Sequence, residues 1–223
     1  MIKTATLENS SAIGYTTLGY TLPERNAPLN IAAHAVYPDQ FAFQREHVIG
    51  SILNVGCNTD GAELWKRGAI NVDLYDTDPQ NGNPLPVHVI ADARDLPDDL
   101  YGRFDCVVLG ELLEHMEASD AIHTLDEAVC CLKHRVWRGQ GDPKSSGRVV
   151  ITIPHDHRRE DGTLPIPDLK EYAPGVHAFH YRKIERAEVF DWLKQADLEP
   201  IYCAEIRYPF DGVIGSGIVA VSR

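Results

Sequence analysis

Two glycines, an asparagine and two aspartates form the group in this chain best suited to holding a cofactor. In Ser51-Ile-Leu-Asn-Val-Gly-Cys-Asn-Thr-Asp-Gly61 an apolar run (Ile52, Leu53, Val55) stops at Gly56. A polar turn containing Asn58 and Asp60 leads to Gly61, and Ala62-Glu63-Leu64-Trp65-Lys66 then reads as a helix. Strand, tight glycine turn and helix place a ligand at the carboxyl end of a parallel strand. Asp73 follows Gly56 by seventeen positions and closes the next apolar run. A carboxylate there can accept hydrogen bonds from both hydroxyls of a ribose, which suggests a nucleoside-containing cofactor. Base chemistry has its own candidates in Pro154-His155-Asp156-His157-Arg158-Arg159 and His177-Ala178-Phe179-His180-Tyr181-Arg182. An imidazole serves as a proton acceptor near neutrality. Each of these histidines also reads as a solvated loop residue. His155-x-His157 and His177-x-x-His180 have metal-like spacing, but no clear carboxylate triad accompanies them, and the reading adopted uses no metal.

These residues need a scaffold, and the pattern supplies one. Strands are expected at 51–55, 70–74, 87–91, 104–109 and 148–153, with helices at 61–67, 118–133 and 185–196. Two final strands follow at about 199–207 and 216–222. In the helix at 118–133, Ala121, Leu125, Ala128, Val129 and Leu132 recur at helical spacing. Strands alternating with helices predict an α/β fold, a doubly wound and mostly parallel sheet covered on both faces. All its strand ends bearing Gly56, Asp73, Asp92 and Gly110-Glu111 then lie on one edge. Residues 1–30 read as an irregular arm and 38–49 as a helix, so that 1–45 covers the active site and 46–223 forms a single domain.

Bulk properties narrow the classes. A chain of 223 residues suffices for one such domain with a full core. No apolar run approaches the roughly 20 residues a membrane helix needs, and the start shows no secretory segment. Five cysteines without metal-like spacing point to reduced thiols and a cytoplasmic setting. The net charge of −12 argues against a nucleic-acid partner, since gripping a phosphate backbone calls for a basic face.

The ordered phrases resemble the class I S-adenosylmethionine-dependent methyltransferases. They are Asn54-Val55-Gly56-Cys57, Ile70-Asn71-Val72-Asp73, Ala91-Asp92-Ala93-Arg94-Asp95-Leu96-Pro97, Phe104-Asp105-Cys106-Val107-Val108, Leu113-Glu114-His115 and Gly147-Arg148-Val149-Val150-Ile151-Thr152-Ile153-Pro154. The resemblance covers about residues 45 to 222 and implies a seven-stranded Rossmann-like sheet with an antiparallel final strand. It implies that Gly56 lets the backbone approach the methionine part of S-adenosylmethionine and that Asp73 holds the ribose. It further implies that Asp92 and the Ala93 N–H meet the adenine and that Gly110 lines the pocket, with Glu111 beside it. The second phrase is similar to a subset associated with sugar and polysaccharide pathways. The glycine loop departs from the common Gly-x-Gly-x-Gly: Asn58 stands where positive φ is needed, and Asp60 either meets the cofactor's ammonium or caps the following helix. Residues 133–148 are longer and more basic than the family's usual turn, and read as a solvated loop or as a contact for a phosphate, a partner or nucleic acid.

The function expected is methyl transfer to an oxygen or nitrogen of a small molecule (a sugar, nucleotide-sugar or natural product), with His155, His157 or His180 as base. The Asn/Asp-Pro-Pro-aromatic phrase of base amino-methylating enzymes is missing after the fourth strand. A nucleic-acid or protein methyltransferase, and a non-catalytic scaffold on the same fold, are the alternatives.

Overall fold

A computed structural model describes residues 30–58, 61–78, 81–133, 147–156, 184–207 and 214–222. The elements run β1 (Asn30–Tyr37), α1 (Gln40–His47), β2 (Ile52–Val55), α2 (Gly61–Trp65), β3 (Ile70–Asp73) and β4 (Val89–Ile90). They continue with β5 (Cys106–Gly110), α3 (Ala118–Cys131), β6 (Arg148–Asp156), α4 (Arg186–Gln195), β7 (Leu198–Arg207) and β8 (Ile214–Ser222). One sheet has the order β1-β7-β8-β6-β5-β2-β3-β4. Strand β8 runs antiparallel to both β6 and β7, and every other pair is parallel. The expected mixed sheet and its antiparallel final strand are thus present, with one strand more than the seven anticipated. The additional strand, β1, lies between the arm expected to end at residue 30 and the helix expected from residue 38, where no element is expected. Its sequence, Asn-Ile-Ala-Ala-His-Ala-Val-Tyr, carries three alanines, a residue depleted in strands, and so hides its pairing with β7.

Successive strand residues face opposite layers of the core. Leu53, Val55, Val107, Leu109, Ile151 and Ile153 pack with Ala121, Leu125 and Val129 of α3 and with Val189, Trp192 and Leu193 of α4. Ile52, Cys106, Val108, Val150 and Val219 pack on the other side with Phe43 of α1 and Leu64 of α2. Asp39 starts α1 by accepting the Ala42 N–H at 2.7 Å. All five cysteines are free thiols. Burial pushes the Cys57, Cys106 and Cys131 thiols up to about 12, as suits inert core residues.

The amino edge of the sheet has its own clamp. Asp105 Oδ2 accepts from Lys133 Nζ at 2.8 Å and from the Ser51 N–H and Oγ at 2.7 Å each. Lys133 first, then Ser51, holds this carboxyl down to about 2. The chain enters β2 through Gly50 at φ 52°, with the Asp105 side chain where a Cβ would stand.

Candidate functional site

The chain leaves β2 for β3 and β4 on one side and returns to β5 on the other, so the order reverses between β2 and β5. The crevice beyond such a reversal is where ligands bind in open α/β sheets. Four strands end there: β2 at Val55 before Gly56, β3 at Asp73, β4 at Ile90 shortly before Asp92, and β5 at Gly110.

The glycine turn is built by backbone geometry. Gly56 has φ 69° and Asn58 φ 43°, both left-handed, and asparagine is among the side chains that tolerate this region. The Gly56 and Cys57 N–H groups donate to Val72 O at 2.9 and 3.2 Å. The Asn58 N–H donates to Asp73 Oδ2 at 2.8 Å, while Asp73 Oδ1 accepts the Leu74 N–H at 2.7 Å. One carboxylate therefore links the turn after β2 to the turn after β3. A Cβ on Gly56 would lie 2.7 Å from Leu112 Cδ1, so the Leu112 side chain packs over this glycine.

Beneath the turn lies a buried amide pair. Asn54 Nδ2 donates to Asn71 Oδ1 at 3.2 Å, and Asn71 Nδ2 donates to Gly61 O at 3.2 Å and Pro86 O at 2.8 Å. Asn71 is fully buried and Asn54 nearly so. A Cβ on Gly61 would meet Asn71 Nδ2 at 2.8 Å and Cys57 Cβ at 2.9 Å, which explains a glycine at the first position of α2.

Asp92 is held by its neighbour. Arg94 donates to Asp92 Oδ1 from Nε and from its backbone N–H, each at 2.9 Å, and to Oδ2 from Nη2 at 2.6 Å. Its Nη1 reaches Asp120 Oδ2 on α3 at 2.8 Å. The Arg94 side-chain hydrogen bonds lower the Asp92 pKa, keeping it a carboxylate. Ala93 is partly buried against the core.

Beyond β5, Glu111 adopts φ 54° and its N–H donates to Thr152 O at 3.0 Å. A non-glycine residue held left-handed at a strand end is the kind of strain that clusters at functional sites. A short 3₁₀ turn at Leu113–His115 follows and buries Glu114 at 1% exposure. Burial first, and the charge of Glu111 second, push the Glu114 carboxyl well above its ordinary range. Its His115 neighbour is 39% exposed in the side chain, with Nε2 3.9 Å from Glu114 Oε1.

Of the residues singled out from sequence, Gly56, Asn58, Asp73, Asp92, Ala93, Gly110 and Glu111 all lie along this edge. The His155 backbone belongs to β6, whose carboxyl end reaches the same edge. Asp60, His157 and His180, and the basic stretch 134–146, lie outside the described residues. Among the described residues no three His, Cys, Asp or Glu side chains converge as a metal site. Sequence reading missed Asn54, Asn71 and Leu112. Two asparagines inside the apolar phrases Ile52-Leu-Asn-Val55 and Ile70-Asn-Val72 were the available signal, because a polar side chain within a doubly covered strand requires partners.

No protein-family model matches this chain, and no curated protein matches it in sequence. Its backbone does resemble solved structures. A SAM-dependent methyltransferase from Methanosarcina mazei is 15% identical with a TM-score of 0.56, over 82% of this chain and 98% of the other. The Burkholderia thailandensis 1,6-didemethyltoxoflavin-N1-methyltransferase, solved with 1,6-didemethyltoxoflavin and S-adenosylhomocysteine, is 17% identical with a TM-score of 0.52, over 77% and 70%. A chain in the complex between the Haloferax volcanii Trm112 methyltransferase activator and a putative methyltransferase is 17% identical with a TM-score of 0.51, over 82% and 87%. The fold is that of the class I S-adenosylmethionine-dependent methyltransferases. No helix among the described residues is long and apolar enough to cross a membrane.

Proposed function

We propose that this protein is an S-adenosylmethionine-dependent methyltransferase acting on an oxygen or nitrogen of a small molecule. The observation that carries the reading is the joining of two strand ends by one carboxylate: Asp73 meets the Asn58 N–H, beside a Cβ-free Gly56, at the reversal of strand order. A glycine backbone next to a carboxylate suits a ligand with a ribose and a tail. The Arg94-held Asp92 further along the edge suits the exocyclic amino group of an adenine.

S-adenosylmethionine supplies an electrophilic methyl group on a sulfonium. The work left to the chain is alignment of the acceptor, exclusion of water and, for a hydroxyl acceptor, removal of its proton. Asp73 would bind the ribose and Asp92 with the Ala93 N–H the adenine, while Gly56 would let the backbone approach the methionine part and Gly110 would line the pocket. Asp60 would meet its ammonium, with Glu111 at the pocket wall. His155, His157 and His180 are the candidate bases. A sugar, nucleotide-sugar or natural-product acceptor agrees with the acidic composition, and a cytoplasmic location agrees with the free thiols.

Calorimetric titration with S-adenosylmethionine and S-adenosylhomocysteine tests the reading, and micromolar binding of both is expected. The packing of Leu112 over Gly56 favours one competitor, a scaffold with a closed cofactor seat, and absence of binding would move that competitor to the front. Asp73→Ala should weaken S-adenosylhomocysteine binding by about 1.5–3 kcal/mol, the scale of charge-assisted hydrogen bonds, with the fold intact by circular dichroism. Unchanged affinity would take Asp73 out of the site. Replacing His155, His157 or His180 by alanine should slow turnover of an identified acceptor with little change in cofactor affinity. Full rates in all three variants would place the base elsewhere.

A further inference from the structure

Gly110 on β5, Thr152 on β6 and Gly217 on β8 are register partners and form one row on one face of the sheet. Helix α1 lies directly on that row. A Cβ on Gly217 would meet the Phe43 ring at 2.5 Å, and one on Gly110 would meet Gln44 Nε2 at 2.5 Å. Between the two glycines, Gln44 Nε2 donates to Thr152 Oγ1 at 3.1 Å. The surrounding contact is apolar or aromatic, formed by Tyr37, Phe43, Val108, Val150, Tyr202 and Val219. Gln44 is 4% exposed within it. A methionine or leucine would fill that place without desolvating an amide, so a glutamine there needs a reason. The carboxamide offers two donors and an acceptor, and Thr152 takes one N–H.

The position supplies the reason. Gly110 is the last residue of β5, and the left-handed Glu111 after it is tied by its N–H to the same Thr152. The nucleoside candidates, Asp73 and Asp92, lie at the ends of β3 and β4, on the far side of β2 from β5. A ligand whose nucleoside lies over β3 and β4 therefore brings its other end to β2 and β5. In S-adenosylmethionine that end is an α-amino acid carrying an ammonium and a carboxylate. A neutral group that both donates and accepts suits such a zwitterion.

We propose that Gln44 of the N-terminal helix binds the amino-acid end of the cofactor. The inference rests on the methyltransferase reading above and adds α1 to the site. The test compares S-adenosylhomocysteine with 5′-methylthioadenosine, which keeps the nucleoside and thioether but lacks the amino-acid end. Titration of Gln44→Met, with folding checked by thermal melting, should show S-adenosylhomocysteine affinity about tenfold weaker and 5′-methylthioadenosine affinity unchanged. Equal losses for both ligands, or a loss for neither, would overturn the proposal while leaving the cofactor reading in place. Failure of the unaltered protein to bind either ligand would remove both. Should Gln44→Met not fold, Thr152→Val releases the carboxamide from its anchor, and the same selective loss or its absence decides.

Discussion

Asn71→Ala is expected to lower the stability of the protein by about 3–5 kcal/mol, because it removes three hydrogen bonds at once. The side chain is fully buried and serves three partners, Asn54 Nδ2, Gly61 O and Pro86 O. Removing it leaves each without its bond, and an unsatisfied buried group costs about 1–3 kcal/mol. Water entering the vacated volume offsets part of that sum, which sets the upper end of the range. Asn54→Ala removes one of these bonds and should cost less, and the double variant should fall short of the sum because the two side chains share a network. Urea unfolding of the three variants measures this. The consequence reaches function, because Asn71 ties the start of α2 and the 86 segment to β3, under the glycine turn. Cofactor affinity should therefore fall along with stability. A loss below about 1 kcal/mol for Asn71→Ala would mean that another contact holds the turn.

The alternation of strand and helix was legible because apolar runs such as Ile52–Val55 and Cys106–Leu109 are short, end at glycine and are separated by helical spacing. Elements from β2 to β8 stand close to where the pattern placed them. Strand β1 was not legible: its alanines carry little strand preference, and its partner β7 lies about 170 residues away. At the site, the places of Asp73 and Asp92 after strands put them on the ligand-binding edge, and the family resemblance implies their ribose and adenine roles. Their protein partners were beyond sequence reasoning, because the Asn58 N–H and the Arg94 fork reach them only through turn geometry. Gln44 was hidden for a different reason. Its role depends on the absence of a side chain at Gly110 and on a threonine 108 residues away, a relation that no local pattern encodes.

The second large effect is a pH dependence centred on His47. This ring is buried against Phe43 and Tyr202, with centroids at 4.4 and 4.8 Å, and its Nε2 lies 3.3 Å from the Tyr37 hydroxyl. Arg148 Nη1 donates to the His47 carbonyl at 3.1 Å, bringing a positive charge close. Burial first and Arg148 second lower its pKa from 6.5 to about 4. The unfolded chain thus takes up a proton as pH falls through 6.5, whereas the folded protein does not until about 4. Between those values the unfolded state binds more protons, so stability falls as pH falls. The full difference amounts to about 3 kcal/mol at the acid end, and none of it is felt above neutrality. His47→Phe keeps an aromatic ring among the same neighbours and cannot titrate. Its unfolding free energy should decline less than that of the unaltered protein between pH 6.5 and 4, and the two profiles should run parallel above pH 7. Comparing the two proteins isolates His47 from carboxylates that titrate in both. Parallel profiles across the acid range would show that the aromatic cluster accepts a charged imidazole, and that α1 is held to the sheet by contacts indifferent to it.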